Sequence, residues 1–359
     1  MMTEKVIAEV RKTGSECAPV GKFPNGASAL LAICSDLDET PSAEAYFEIM
    51  KFLNTTDETS MGPGVGLEVG NTIYFDMPEG HFSYWSASEA DRARIRALIR
   101  SGHIDCLHSF GDLATTREHA ARALDELARH ECWMRVWVDH ATAVTNFGSD
   151  IMCGHGDDRD HPAYHADLAV GYGIRYVWRG RVTSVIGQNQ PVSFKGIANW
   201  SSPVASLRTL AKEALKQVSA RVGSAKYQLH AGNAVLRRAS LRDGSPVLEF
   251  LRSNPHWGGV SSADNAKGMA EVLTSQMLDT LVERGGVSIL YTHLGKADRS
   301  QGNAPLPPAT VAAFRRLAEY HESGQICVIT TARLLNWCEQ AKPNGEEAKW
   351  SRLSFPDLE

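Results

Sequence analysis

The sequence predicts an α/β protein built on a parallel sheet or barrel, and three observations predict it. Short apolar runs of strand length alternate with longer helical patterns along most of the 359 residues. Several of those runs stop on acidic or histidine-bearing segments: ICSDLDET, IDCLHSFGD, VWVDHATAVTN and SILYTHLGK. The final run, QICVITT, leads straight into ARLLNWCEQ, whose apolar spacing is helical, so the chain ends on a closing βα unit.

Taken in order, the strands are expected at 30–35, 104–108, 134–139, 174–178, 287–292 and 326–330. Each is a short apolar run bounded by polar or turn residues. Helices are expected at 87–101, 116–129, 206–222, 263–284, 308–321 and 332–340, where apolar residues recur at helical spacing. Residues 29–341 then form one catalytic domain, between an N-terminal extension (1–28) and a C-terminal surface tail (342–359). Four segments exceed a minimal barrel and are expected as insertions: 61–85, 154–165, 180–203 and 225–255, the last carrying a hairpin around Arg242, Asp243 and Gly244.

A hydrophobic content of 43% supports a large core. The net charge of -5, with no dense Lys/Arg run, argues against nucleic acid or an anionic membrane surface as partner. No run approaches the ~20 apolar residues of a membrane span. The N-terminus MMTEKVIAEVRKTGSECAP lacks an apolar signal segment, so a cytoplasmic location is expected. Seven cysteines without a CxxC pair read as reduced, mostly buried thiols.

The chemistry gathers at the strand ends. Asp36 and Asp38 close the first strand on the same side of an extended chain, so one can bind a metal while the other handles protons. His108 and Asp112 are four apart; if the turn after the strand is helical, both reach one ion. The competing reading of Asp112 is a cap on the next helix. His140, with Asp139 and Asn146 nearby, is a ligand in place of Asp112, a substrate-binding group, or a core histidine. His293 ends SILYTH, where a histidine can protonate a leaving group at neutral pH. Tyr164 and His165 are candidate substrate contacts at a helix start, and the rest of GHGDDRDHPAYH reads as solvated loop. Phe82, Tyr84, Trp85, Trp178 and Trp257 are candidates for a sugar-stacking wall, with core packing as the competing reading. No phosphate-binding glycine loop is present.

These segments resemble the polysaccharide deacetylase superfamily, the NodB-homology or carbohydrate esterase family 4 type. SDLD at 35–38 is similar to its first acidic motif, HSFGD at 108–112 to the opening and spacing of its His-Ser/Thr-x-x-His motif, and ILYTH at 289–293 to its late strand ending in histidine. The resemblance spans about Ala29 to Cys338. Two features depart from it: Asp112 stands where the second histidine is expected, and the arginine-bearing third motif is replaced by VWVDHATAVTN.

The resemblance implies a distorted (β/α)7 barrel and a divalent metal, zinc first, with manganese, iron or cobalt as alternatives. It implies Asp38, His108 and Asp112 as ligands, Asp36 as general base and His293 as general acid, removing an acetyl group from an N-acetylated sugar or glycan precursor. Two other readings are carried along: a metal-free glycoside hydrolase on a related barrel, and a non-catalytic glycan-binding protein. A carbohydrate partner is expected, and self-association is left open.

Overall fold

Strand β1 (Ala29–Ser35, ALLAICS) is buried at every residue, as a strand covered on both faces must be. It lies at the centre of the sheet in the computed structural model, which describes residues 23–36, 40–197, 203–255, 265–296, 304–340 and 350–358. A short separate hairpin follows, β2 (Glu58–Thr59) and β3 (Gly62–Pro63). The main sheet continues with β4 (Gly70–Ile73), β5 (Ile104–His108), β6 (Val136–Val138), β7 (Tyr176–Trp178), β8 (Val182–Thr183) and β9 (Leu236–Ser240). It is completed by β10 (Pro246–Phe250), β11 (Arg252–Ser253), β12 (Gly286–Thr292) and β13 (Ile326–Val328).

The order across the sheet is β8-β11-β12-β1-β4-β5-β6-β7-β10-β9. All these pairings are parallel except β9 with β10, so the C-terminal ends of the strands lie along one edge. One side of β1 pairs with β12 along its full length; β13 also pairs with Ala29 to Leu31, and β4 pairs with Cys34 and Ser35. The result is a mixed α/β fold on a curled, mainly parallel sheet.

Side chains alternate across β1 with the two-residue period of a strand. Ala29, Leu31 and Ile33 pack with the helices, including Phe52, Leu278, Leu281 and Phe314. Leu30, Ala32 and Cys34 face the concave side with Cys106, Val136, Val138, Tyr176 and Phe250. The helices are α1 (Ala43–Asn54), α2 (Glu89–Ser101), α3 (Arg117–Arg129), α4 (Ala166–Tyr172), α5 (Pro203–Arg221), α6 (Ala266–Val272), α7 (Ser275–Arg284), α8 (Pro308–Glu322) and α9 (Thr331–Gln340). Ser42 and Ser88 cap α1 and α2 by accepting from the N–H groups of Ala45 and Asp91, and α2 stops at Gly102 with φ 84°.

Two expectations are corrected. The segment 61–85 contributes a central strand, β4, between β1 and β5, and 225–255 contributes three strands, including the expected hairpin at 236–250. The helix expected at 263–284 is two, because Thr274 caps the second by accepting from Met277 N–H. Residues 350–358 of the tail lie against the body: Trp350 stacks under Arg333, and Phe355 packs on His103.

Candidate active site

Parallel pairing places four chemistry-bearing strand ends side by side. Asp36 follows β1, His108 ends β5, Asp139 and His140 follow β6, and His293 follows β12. All five line one cavity of about 800 Å³, together with Asp112, Trp178 and Tyr291. The other wall carries Lys216 from α5 and Lys226, Tyr227 and His230 from a 3-10 segment, Ala225–Asn233.

Asp36 is buried, and both of its oxygens accept from Arg252, at 2.9 and 2.8 Å. The guanidinium of Arg252 lies 4.3 Å from the Trp178 ring centroid and 5.1 Å from that of Tyr291, and also donates to Cys34 Sγ. Burial works to raise the Asp36 pKa, but Arg252, with His108 and His293, outweighs it and holds the carboxyl below its usual range. Arg252 is therefore the fixed counter-ion that keeps Asp36 ionised at neutral pH. No motif marks Arg252, which sits in a segment expected to be an excursion.

His108 and His140 form the second half of the site. His108 Nδ1 faces the Val138 carbonyl at 3.3 Å, so it carries a hydrogen. Its Nε2 lies 3.1 Å from His140 Nδ1 and 3.9 Å from Asp36 Oδ2. His140 Nε2 lies 3.0 Å from Asp112 Oδ1. With protons alone, one hydrogen sits in each of these three contacts, on the rings or on Asp112. With both rings neutral, the outward nitrogens can donate to that carbonyl and that carboxylate, as metal-bound histidines do, and the two facing nitrogens keep their lone pairs. Two imidazole nitrogens are ligand atoms that a zinc-type ion accepts, one or two short of the three or four that such a site uses.

The expected helical turn from His108 to Asp112 is absent. Ser109 has φ 51° and Gly111 φ 98°, and a Cβ on Gly111 would fall 2.2 Å from the Asp76 carbonyl oxygen. Asp112 reaches the site through His140 instead, and Thr116, not Asp112, caps the next helix. Asp38 and Trp257, expected as ligand and substrate contact, lie outside the described residues. Among the described residues, no three His, Cys, Asp or Glu side chains are gathered as a metal centre.

The remaining candidates divide. Trp178 lines the cavity and donates to the Arg181 carbonyl. Asn146 supports the site from behind: it accepts from His140 N–H and donates to the carbonyls of His140 and Met152. Asp139 accepts from Trp137 Nε1 and from the N–H groups of Phe147 and Gly148, while burial pushes its pKa up to about 6. His165 is not a substrate contact. It is fully buried among Phe110, Trp137 and Phe147, bonded to the Thr145 carbonyl, with its pKa pushed down to about 4 by burial. Tyr164 bonds to Asp243 and stacks with Arg117, away from the cavity lining. Phe82 and Tyr84 are core residues, and Trp85 packs on Phe75 and Arg122. The cysteines expected as buried thiols are unbridged among the described residues, and only Cys153 is exposed.

No protein-family model matches this chain, and neither a curated protein nor a solved structure is similar to it.

Proposed function

We propose that this chain is a metal-dependent hydrolase that removes an acyl group, an acetyl in the first instance, from an N-acylated sugar or glycan precursor. The observation that carries the reading is the convergence of the Asp36–Arg252 pair, the His108–His140 pair and His293 on one cavity walled by Trp178 and Tyr291. The curled sheet is read as an open, distorted relative of the (β/α)7 barrel. A carbohydrate partner and a cytoplasmic setting belong to the same reading.

His108 and His140 would hold the ion with Asp38, and Asp112 would orient His140 from its far nitrogen. When bound, such an ion supplies Lewis-acid polarisation of the acyl carbonyl and activation of water. Asp36, kept ionised by Arg252, receives the proton of the attacking water. His293, edge-on to Tyr291 at 5.4 Å, delivers a proton to the departing amine. Trp178 and Tyr291, which Arg252 already contacts, line the cavity in which the sugar would sit.

The test is acetate release from a panel of N-acetylated sugars and oligosaccharides. Activity in the wild type that drops at least ~1,000-fold in both Asp36→Asn and His293→Ala supports the role assignments. Release of reducing sugar without acetate would move the reading to a glycosidase.

A further inference from the structure

Beside the reaction cavity lies a second recess of about 710 Å³, lined by Arg179, Arg181, Lys226, Arg237 and Arg238 against only Asp150 and Glu249. The two carboxylates are spoken for. Arg179 forms a two-point pair with Glu249 at 3.1 and 3.0 Å, and Arg181 one with Asp150 at 3.1 and 2.8 Å. Lys226, Arg237 and Arg238 are exposed and remain in excess, in a chain whose net charge is -5. Arg181 and Lys226 line both recesses, so the two are contiguous. Lys296 and Lys216, the latter paired with Glu213, line the reaction cavity.

From this arrangement we infer that the second recess is a binding site for an anionic group, a carboxylate or a phosphate, on the part of the substrate next to the acylated unit. The paired carboxylates fix Arg179 and Arg181 in place, so those guanidiniums form a preset floor, and Lys226, Arg237 and Arg238 supply the uncompensated charge that attracts the ligand. Arginine side chains match carboxylate and phosphate oxygens two at a time. The competing role for Arg237 and Arg238 is protection of the sheet edge, since β9 is the terminal strand and charged edges discourage strand pairing. Edge protection predicts no ligand. The inference rests on the acyl-sugar reading for what occupies the reaction cavity, but anion binding can be measured without turnover.

The experiment is calorimetric titration in low salt, on full-length protein carrying Asp36→Asn, with hexagalacturonate, chitohexaose and inorganic pyrophosphate as probes. The same titrations follow on an added Arg237→Gln/Arg238→Gln pair, whose thermal midpoint confirms folding, and on Lys226→Gln alone. We expect at least one of the two polyanions to bind about tenfold more weakly to the double variant, with chitohexaose unchanged. Dependence on the arginines with hexagalacturonate identifies an acidic glycan, and with pyrophosphate alone a phosphorylated one. Polyanion affinities within about twofold of each other across all variants, or no polyanion binding at all, would overturn the inference and leave edge protection. Acetate release by the wild type bears on the hydrolase reading separately, so the two can fail independently.

Discussion

Asp36, His108, His140 and Arg252 are each no more than 5% exposed and stand on or just after parallel strands, whereas the facing wall of the cavity is built from α5 and the 3-10 segment. The two walls solve opposite problems. Strand ends hold charge in a dry setting, so every charge needs a fixed partner, as Asp36 has in Arg252. Helix α5 packs as a roof over the 3-10 segment, and its buried face is polar: Ser206, Thr209, Glu213 and Gln217 are buried. Its outer side carries the apolar residues, with Val204 81%, Leu207 69% and Leu215 66% exposed. Glu213 ties this roof to β8, accepting from Thr183 Oγ1, Ser184 N–H and Lys216 Nζ. The usual rule of apolar inside and polar outside is reversed on α5, whose buried Glu213 answers polar groups at 183–184 rather than an apolar core.

If that contrast is right, the largest effect belongs to the dry wall. Arg252→Met leaves the Asp36 carboxylate buried without its counter-ion and should cost about 3–5 kcal/mol in urea unfolding at pH 7. Adding Asp36→Asn should restore part of the loss, and an unchanged midpoint in the single variant would break the ion-pair account.

Next comes acid sensitivity. Burial pushes His165 and His103 down to about 4, from 6.5 when unfolded. Between pH 6.5 and 4 the unfolded chain takes up protons that the folded chain refuses, so stability falls with pH across that window, by on the order of 3 kcal/mol for His165. Asp105 and Asp139, both pushed up to about 6 by burial, work the other way between about 6 and 3.8. Unfolding free energies at pH 7 and pH 5 should show the net loss, and His165→Gln should flatten it.

The roof should respond less. Glu213→Ala removes the acceptor for Thr183 and Ser184 and should cost about 1–3 kcal/mol. Leu215→Lys on the outer face should stay within about 0.5 kcal/mol. A cost above 2 kcal/mol there would mean the outer face is packed against something in solution, and sedimentation would find it.

The same contrast explains what could be read from the residues alone. Strand β5 falls where its apolar run places it, 104–108, and the closing βα unit is present, because buried strands carry their burial in their composition. The strand-end positions of His108, His140, His293 and Trp178 were legible for the same reason: each ends or follows such a run. Strand β4, GNTI, was not, since only Ile73 of its four residues is strongly apolar and its burial comes from the neighbouring strands. Helix α1 could have been found from the Ser42 cap and the recurrence of Tyr46, Ile49, Met50 and Leu53. His165 was misread because a histidine at a helix start looks solvent-facing until the rings of Phe110, Trp137 and Phe147 close around it. Arg252 could not be paired with Asp36 from sequence, since 216 positions separate them and only the sheet order joins their strands.

The most direct measurement of the central claim is metal content. The purified protein, reconstituted with zinc, manganese, iron(II) or cobalt and then desalted, is compared by elemental analysis with a His108→Ala/His140→Ala variant treated identically. The account predicts close to one equivalent of divalent metal in the wild type and its loss in a variant that remains folded. Equal metal in both, or none in the wild type after every reconstitution, would contradict it and leave the facing histidines as a proton-sharing pair.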